Sequence, residues 1–198
     1  AANLLIIPTG SEIVDWRRID PDQLPPGQVL ESNSYVLGNL TEACGGTYVK
    51  HDRVQDDLEA IKAATEKGLQ SGTDMVLIIG GSSAGSEDFA RHVITSLGHV
   101  YVHGVTMMPG KPVIVGEINA KPVFGIPGYP VSAIIAFEQF VHRDRGPLGH
   151  NCCHIFTAHL FLEHMMLALD LLEPQVFFFK LLLQGRDRSI TEFGHLAQ

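Results

Sequence analysis

The stretch Asp74-Met-Val-Leu-Ile-Ile-Gly-Gly-Ser-Ser-Ala-Gly-Ser-Glu-Asp-Phe89 passes from an apolar run through small residues into helical spacing. The unbroken run Met75–Ile79 predicts a strand buried on both faces, as in a parallel sheet. From Glu87 onward, Phe89, Val93, Ile94 and Leu97 recur on one face of a helix. Between the two, Gly80, Gly81 and Gly85 permit positive φ and let a ligand approach the backbone. A helix N-terminus adds unpaired N–H groups and partial positive charge, which suit a phosphate. Ser82, Ser83 and Ser86 add hydroxyl donors. Gly and Ser are also ordinary turn residues, so a plain strand-to-helix turn is the competing reading; the loop is longer than such a turn requires. It is neither the dinucleotide fingerprint nor a Walker loop, because both spacings and the P-loop lysine are missing.

The same alternation extends to both sides. Leu4–Ile7 is a short buried strand closed by Pro8-Thr9-Gly10, and Asp15–Gln28, with Pro21, Pro25, Pro26 and Gly27, reads as a loop. Ser32 or Asn33 can cap a helix running to Ala43, ended by Gly45-Gly46. Tyr48–Val54 reads as a strand. Asp56 then caps a helix that carries Leu58, Ile61 and Ala64 on one face, with Gly68 and Gly72 at its end. Strands follow at Val100–Val105, Val113–Ile118 and Val123–Ile126, and a helix at Ala133–Val141. Strands alternating with helices predict an α/β fold with a mostly parallel central sheet covered by helices.

A chain of 198 residues, 45% hydrophobic and 18% charged, can bury a sizeable core. A net charge of -8 argues against broad nucleic-acid binding, which needs a basic footprint. A small anion is still acceptable, because a local nest of backbone amides can hold one on an acidic protein. Three cysteines form no disulfide framework, which fits a reducing, cytoplasmic setting. The apolar stretches Phe156–Leu172 and Val176–Leu183 are interrupted by charge or too short to span a membrane. Opening on a strand without an initiator Met, the chain reads as a domain cut from a longer polypeptide.

Two further turns carry chemistry. Met107-Met-Pro-Gly-Lys-Pro112 presents Lys111 between two strands; a hairpin with a solvated lysine at its tip is the plainer account. Gly125-Ile-Pro-Gly-Tyr-Pro-Val-Ser-Ala133 leads from a strand into a helix, with Pro130 suited to the first turn. All three turns follow strand ends, and ligands of open α/β sheets gather beyond the carboxyl ends of parallel strands.

Thr9-Gly-Ser-Glu12, Glu31-Ser-Asn-Ser34, Val54-Gln-Asp-Asp57, Gly80–Gly85 with Glu87-Asp88-Phe89, Pro109-Gly-Lys-Pro112 and Ile126–Ala133 occur in an order that resembles the molybdopterin-binding domain. The resemblance covers about residues 3–141. It is nearest to the domain's form in the molybdopterin molybdenumtransferase family, which includes the gephyrin E domain. It implies a three-layer α/β sandwich within a longer, homodimeric, multidomain protein. That family hydrolyses adenylylated molybdopterin and inserts molybdate into the dithiolene with a divalent cation, expected to be Mg2+. Carried over by motif, Gly81, Ser82, Ser83 and Gly85 would cradle the terminal phosphate, with Asp88 at the loop's edge. Lys111 would bind an anion, and Pro127, Gly128 and Ser132 would line the pterin pocket. Glu12 with Asp56 or Asp57 would serve catalysis through water or the cation, Glu12 and Asp56 being the metal ligands. Each has a plainer counterpart: Asp56 and Asn33 as helix caps, Glu12 as a solvated charge.

Met108 stands where many relatives carry Lys or Arg, which removes a positive charge from the anion site. Ser11 replaces a common Asp, and Gln55 a common Pro. Two other readings share the fold: a stand-alone molybdopterin adenylyltransferase, whose usual Gly-Gly-Thr-Gly loop is replaced here, and a non-catalytic molybdopterin-binding module. Residues 142–198 form a second region, expected to hold one or two helices. Its His150, Cys152, Cys153, His154, His159 and His164 lack a zinc-type spacing, so scattered histidines on amphipathic helices are expected there.

Overall fold

The structure, a computed structural model, describes residues 1–80, 88–143 and 154–155, all within one unit, Ala1–Ala158. Strands β1 (Asn3–Pro8), β4 (Thr47–Lys50), β5 (Met75–Ile79), β6 (His99–His103), β7 (Ile114–Ile118) and β8 (Lys121–Ile126) form one six-stranded sheet in the order β4-β1-β5-β8-β7-β6. β4, β1, β5 and β8 pair in parallel, with Ile6 beside Leu77 and Leu77 beside Phe124. β7 runs antiparallel to both its neighbours, so β6 regains the common direction. The sheet is mostly parallel, as expected from the alternating strands and helices.

Helices α1 (Asn33–Ala43) and α4 (Pro130–Ala136) contact each other and cover one face. Helices α2 (Leu58–Gln70) and α3 (Phe89–Leu97) cover the other. Strand residues alternate between faces. Leu5, Ile7, Val76, Ile78 and Val123 join a cluster with Ile61, Ala64, Val93 and Ile94. Leu4, Ile6, Met75, Leu77 and Phe124, wholly buried, serve the opposite layer. Burial on both faces explains why Met75–Ile79 is apolar without alternation. This is the three-layer α/β sandwich.

Several local readings change. Gly68 lies inside α2, where a Cβ would overlap Leu5, and the helix ends at Gln70 before Gly72. α3 starts at Phe89 rather than Glu87, because Asp88 is its N-cap. The strand expected over Tyr48–Val54 ends at Lys50; Val54 makes only an isolated bridge to Thr9. The loop expected over Asp15–Gln28 holds a short 3-10 turn at Pro21–Gln23. Its borders, β2 (Ile13–Asp15) and β3 (Val29–Glu31), pair as a parallel ribbon. α4 passes into a π-helical turn at Phe137–Val141. Beyond it, β9 (His142–Arg143) pairs antiparallel with β10 (His154–Ile155). The helices expected further on lie outside the described residues, as do the side chains of the cysteine and histidine group there.

Candidate functional site at the carboxyl edge

β1 lies between β4 and β5, so the connection out of β1 goes to one side and the connection out of β4 crosses back to the other. Such a reversal opens a crevice at the carboxyl ends of the central strands. Thr9 ties the ends of β1 and β5 together: its amide donates to Ile79 O at 2.8 Å and its hydroxyl to the same oxygen at 3.0 Å. Gly10 follows with φ +137, its amide donating to Val54 O at 3.2 Å.

That turn gathers two of the expected carboxylates. A Cβ on Gly10 would stand 2.7 Å from Glu12 Oε2, so the Glu12 carboxylate folds back over Gly10. The amide and the hydroxyl of Ser11 each donate to Asp56 Oδ2 at 2.9 Å. Arg53 Nη1 donates to the carbonyls of Gly10 and Ser11 at 3.3 and 3.0 Å, bracing the turn from outside. The cap of α2 is Asp57, not Asp56: Asp57 Oδ1 accepts from the Ala60 amide at 2.8 Å. The extended residue just before the helix does the capping, and its predecessor is turned to Ser11.

Gly80 begins the Gly80–Gly85 motif with φ +89, and its amide donates to Ile126 O at 2.9 Å. A Cβ here would stand 2.8 Å from Thr9 O, so only glycine fits the approach of the two strand ends. Gly81, Ser82, Ser83 and Gly85 lie outside the described residues. Past the loop, Asp88 is largely buried and both its oxygens are engaged. Oδ1 accepts from the Arg91 amide at 3.1 Å, and Oδ2 lies 2.8 Å from His103 Nε2.

The other two turns meet the same edge. A Cβ on Gly128 would stand 3.9 Å from Gly80 Cα, which places the Pro127–Pro130 turn beside the start of the Gly80–Gly85 motif. Pro127 is buried, Gly128 exposed and Ser132 half-buried. A Cβ on Gly110 would stand 3.7 Å from Ser132 O, so the lysine turn packs against the start of α4. Lys111 is exposed, and among the described residues its ammonium makes no ion pair or hydrogen bond. Met108 and Tyr129 are exposed by 86% and 81%, unusual for such large apolar groups.

Behind the carboxylate turn, the β2–β3 ribbon holds a charged cluster absent from the sequence reading. Lys50 Nζ lies 3.6 Å from Asp15 Oδ2 and 3.8 Å from buried Glu31 Oε2. Tyr35 donates its hydroxyl to Asp15, and the Arg17 guanidinium lies over the Tyr35 ring. Burial pushes the Asp15 carboxyl up, but the Arg17 amide, the Tyr35 hydroxyl and the Lys50 and Arg17 charges together hold it below its ordinary value. Tyr35 is raised by burial and by Asp15. His103 and this cluster escaped sequence reasoning because their contacts join distant segments.

No group of three or more His, Cys, Asp or Glu able to hold a metal occurs among the described residues. No helix among them is long and apolar enough to cross a membrane. The site pairs a brace of carboxylates with an exposed ammonium at the switch point of an α/β sheet. These features define an α/β domain whose candidate ligand site lies at the carboxyl edge of its sheet. The chain belongs to the family described as "Probable molybdopterin binding domain", whose model matches residues 5–146. A Methanocaldococcus jannaschii protein named for molybdopterin biosynthesis is 41% identical over 142 residues, covering 70% of this chain and 35% of the relative. A molybdopterin molybdenumtransferase of a Nostoc species is 33% identical, covering 73% and 33%. The crystal structure of a molybdopterin biosynthesis protein from Pyrococcus horikoshii superposes with TM-score 0.59 at 39% identity, covering 69% and 32%. The chain thus spans about a third of the length of these relatives.

Proposed function

We propose that this chain is the molybdopterin-binding part of a molybdopterin molybdenumtransferase, a homodimeric cytoplasmic enzyme that inserts molybdate into the cofactor. The carrying observation is the meeting of four motif turns, at Gly10, Gly80, Gly110 and Gly128, on one edge of the sheet. Gly81, Ser82, Ser83 and Gly85 hold the terminal phosphate of molybdopterin or its adenylylated form. Pro127, Gly128 and Ser132 line the pterin side, and Lys111 draws in molybdate or phosphate.

Glu12 and Asp56 fit a magnesium ion. Mg2+ is held by one or two carboxylates, with substrate phosphates and water completing its shell. Both side chains meet one turn, and the Ser11 bonds engage a single Asp56 oxygen. When bound, the ion supplies Lewis-acid polarisation of the phosphoryl oxygens. Asp57 and Asp88 act through position, Asp57 by capping α2 and Asp88 by fixing the end of the phosphate loop.

The test is hydrolysis of adenylylated molybdopterin by the full-length protein, with and without molybdate. Molybdate-dependent release of AMP is expected. ATP-dependent adenylylation of molybdopterin would point instead to the adenylyltransferase reading, and binding without either reaction to a non-catalytic module.

A further inference from the structure

We infer that Asn33 is a positioning residue: its side chain ties helix α1 to the Gly128 turn and so sets the mouth of the ligand crevice beside Gly80. The inference rests on the molybdopterin reading above and adds a residue to that site. Asn33 is free for this because another group caps α1. The N-cap, Ser32, makes no side-chain capping bond. Instead Glu31 Oε1 accepts from the Ser34 amide at 2.8 Å and its Oε2 from the Ser34 hydroxyl at 2.5 Å. Asn33 instead donates from Nδ2 to Gly128 O at 2.6 Å, across 95 positions of sequence.

The acceptor is placed to matter. Gly128 abuts Gly80, where the phosphate-loop motif begins. A peptide unit is planar and trans, so holding the Gly128 carbonyl toward α1 also fixes the direction of the Tyr129 N–H. The far side of the turn is held by the Ala133 amide donating to Tyr129 O at 2.9 Å. The turn is therefore strung between two helices, with Asn33 supplying a side-chain hydrogen bond from α1. Only the amide nitrogen can serve, because the partner is an acceptor.

Asn33→Asp keeps the shape, removes the donor and sets an acceptor against an acceptor. It also places a carboxylate in the first turn of α1, which the helix dipole favours, so α1 itself is not weakened. Titration of the chain with metal-free molybdopterin is expected to show binding about tenfold weaker in Asn33→Asp, the scale of one lost hydrogen bond. The thermal midpoint should fall by only about 2–4 °C, the scale of that one bond, and the Tyr129 amide nitrogen should shift in the NMR spectrum. Asn33→Ala should act in the same direction. Unchanged affinity in both variants overturns the inference and leaves the molybdopterin reading standing. An affinity loss accompanied by a larger loss of thermal stability, with the Tyr129 signal unmoved, also overturns it. Failure of the parent chain to bind overturns the reading and the inference together.

Discussion

The two edges of the central sheet are built from the same strands and do opposite things. At the amino edge polar groups are paired within the fold. Lys121 donates to Leu69 O at 2.8 Å, and Asp74 accepts from the Asn3 amide at 2.8 Å. The β7–β8 hairpin turns on Asn119 and Ala120, with φ 52 and 58, the conformation of a tight two-residue hairpin. At the carboxyl edge an ammonium stands exposed at Lys111, a carboxylate folds over Gly10, and glycines stand where strand ends approach. Under the proposed function this difference assigns the carboxyl edge to the ligand and the amino edge to the stability of the fold.

The largest effect is expected where that edge is tightest. Gly80→Ala must place a Cβ 2.8 Å from Thr9 O at a φ of +89. Chemical denaturation should show a loss of about 2–3 kcal/mol, combining left-handed strain with the displaced backbone. A change under 0.5 kcal/mol would mean that the strand ends can part freely.

The two lysines sharpen the comparison most cleanly. Lys121→Ala removes a partly buried hydrogen bond and should lower stability by about 1 kcal/mol while leaving molybdopterin affinity unchanged. Lys111→Ala should leave stability within about 0.5 kcal/mol, as for an exposed group, and weaken molybdopterin binding about tenfold. Denaturation and titration of both variants read the two columns side by side. If both lysines behave alike, the division between the edges is lost.

The smallest effect concerns the ribbon behind the carboxylate turn. Because Asp15 is held below its ordinary value in the fold, its contribution is present above the unfolded carboxyl range. It is lost as pH falls through the folded value. Stability measured against pH should therefore decline less steeply below about pH 4 in Asp15→Asn than in the parent. An identical acid limb in the two proteins would show that the Lys50 and Tyr35 contacts do not hold in solution.

Much of this architecture was legible before the structure. The unbroken run Met75–Ile79 points to a strand buried on both faces, and Leu58, Ile61 and Ala64 fall on one face of a helix; both are found so. The ordered motifs placed Gly80, Lys111 and Gly128 at strand ends, and the topology brings those ends together. What escaped had a physical reason. β2 and β3 have three residues each, too short for a period, so nothing in the sequence marks the ribbon that flanks the Asp15–Gln28 loop. Asp56 and Asp57 are the same residue type one position apart, and only the backbone decides which caps and which turns to Ser11. Asn33, a natural cap by sequence, is released from that task by Glu31, whose carboxylate reaches forward to Ser34. The Asp88–His103 pair joins a loop to a strand, and no local pattern marks it.

The decisive titration sets the chain, its fold checked by circular dichroism, against metal-free molybdopterin at equilibrium. Saturable binding of one molybdopterin per chain, displaced by its adenylylated form, is the predicted result. A folded chain that shows no saturable binding would contradict the assignment of the carboxyl edge.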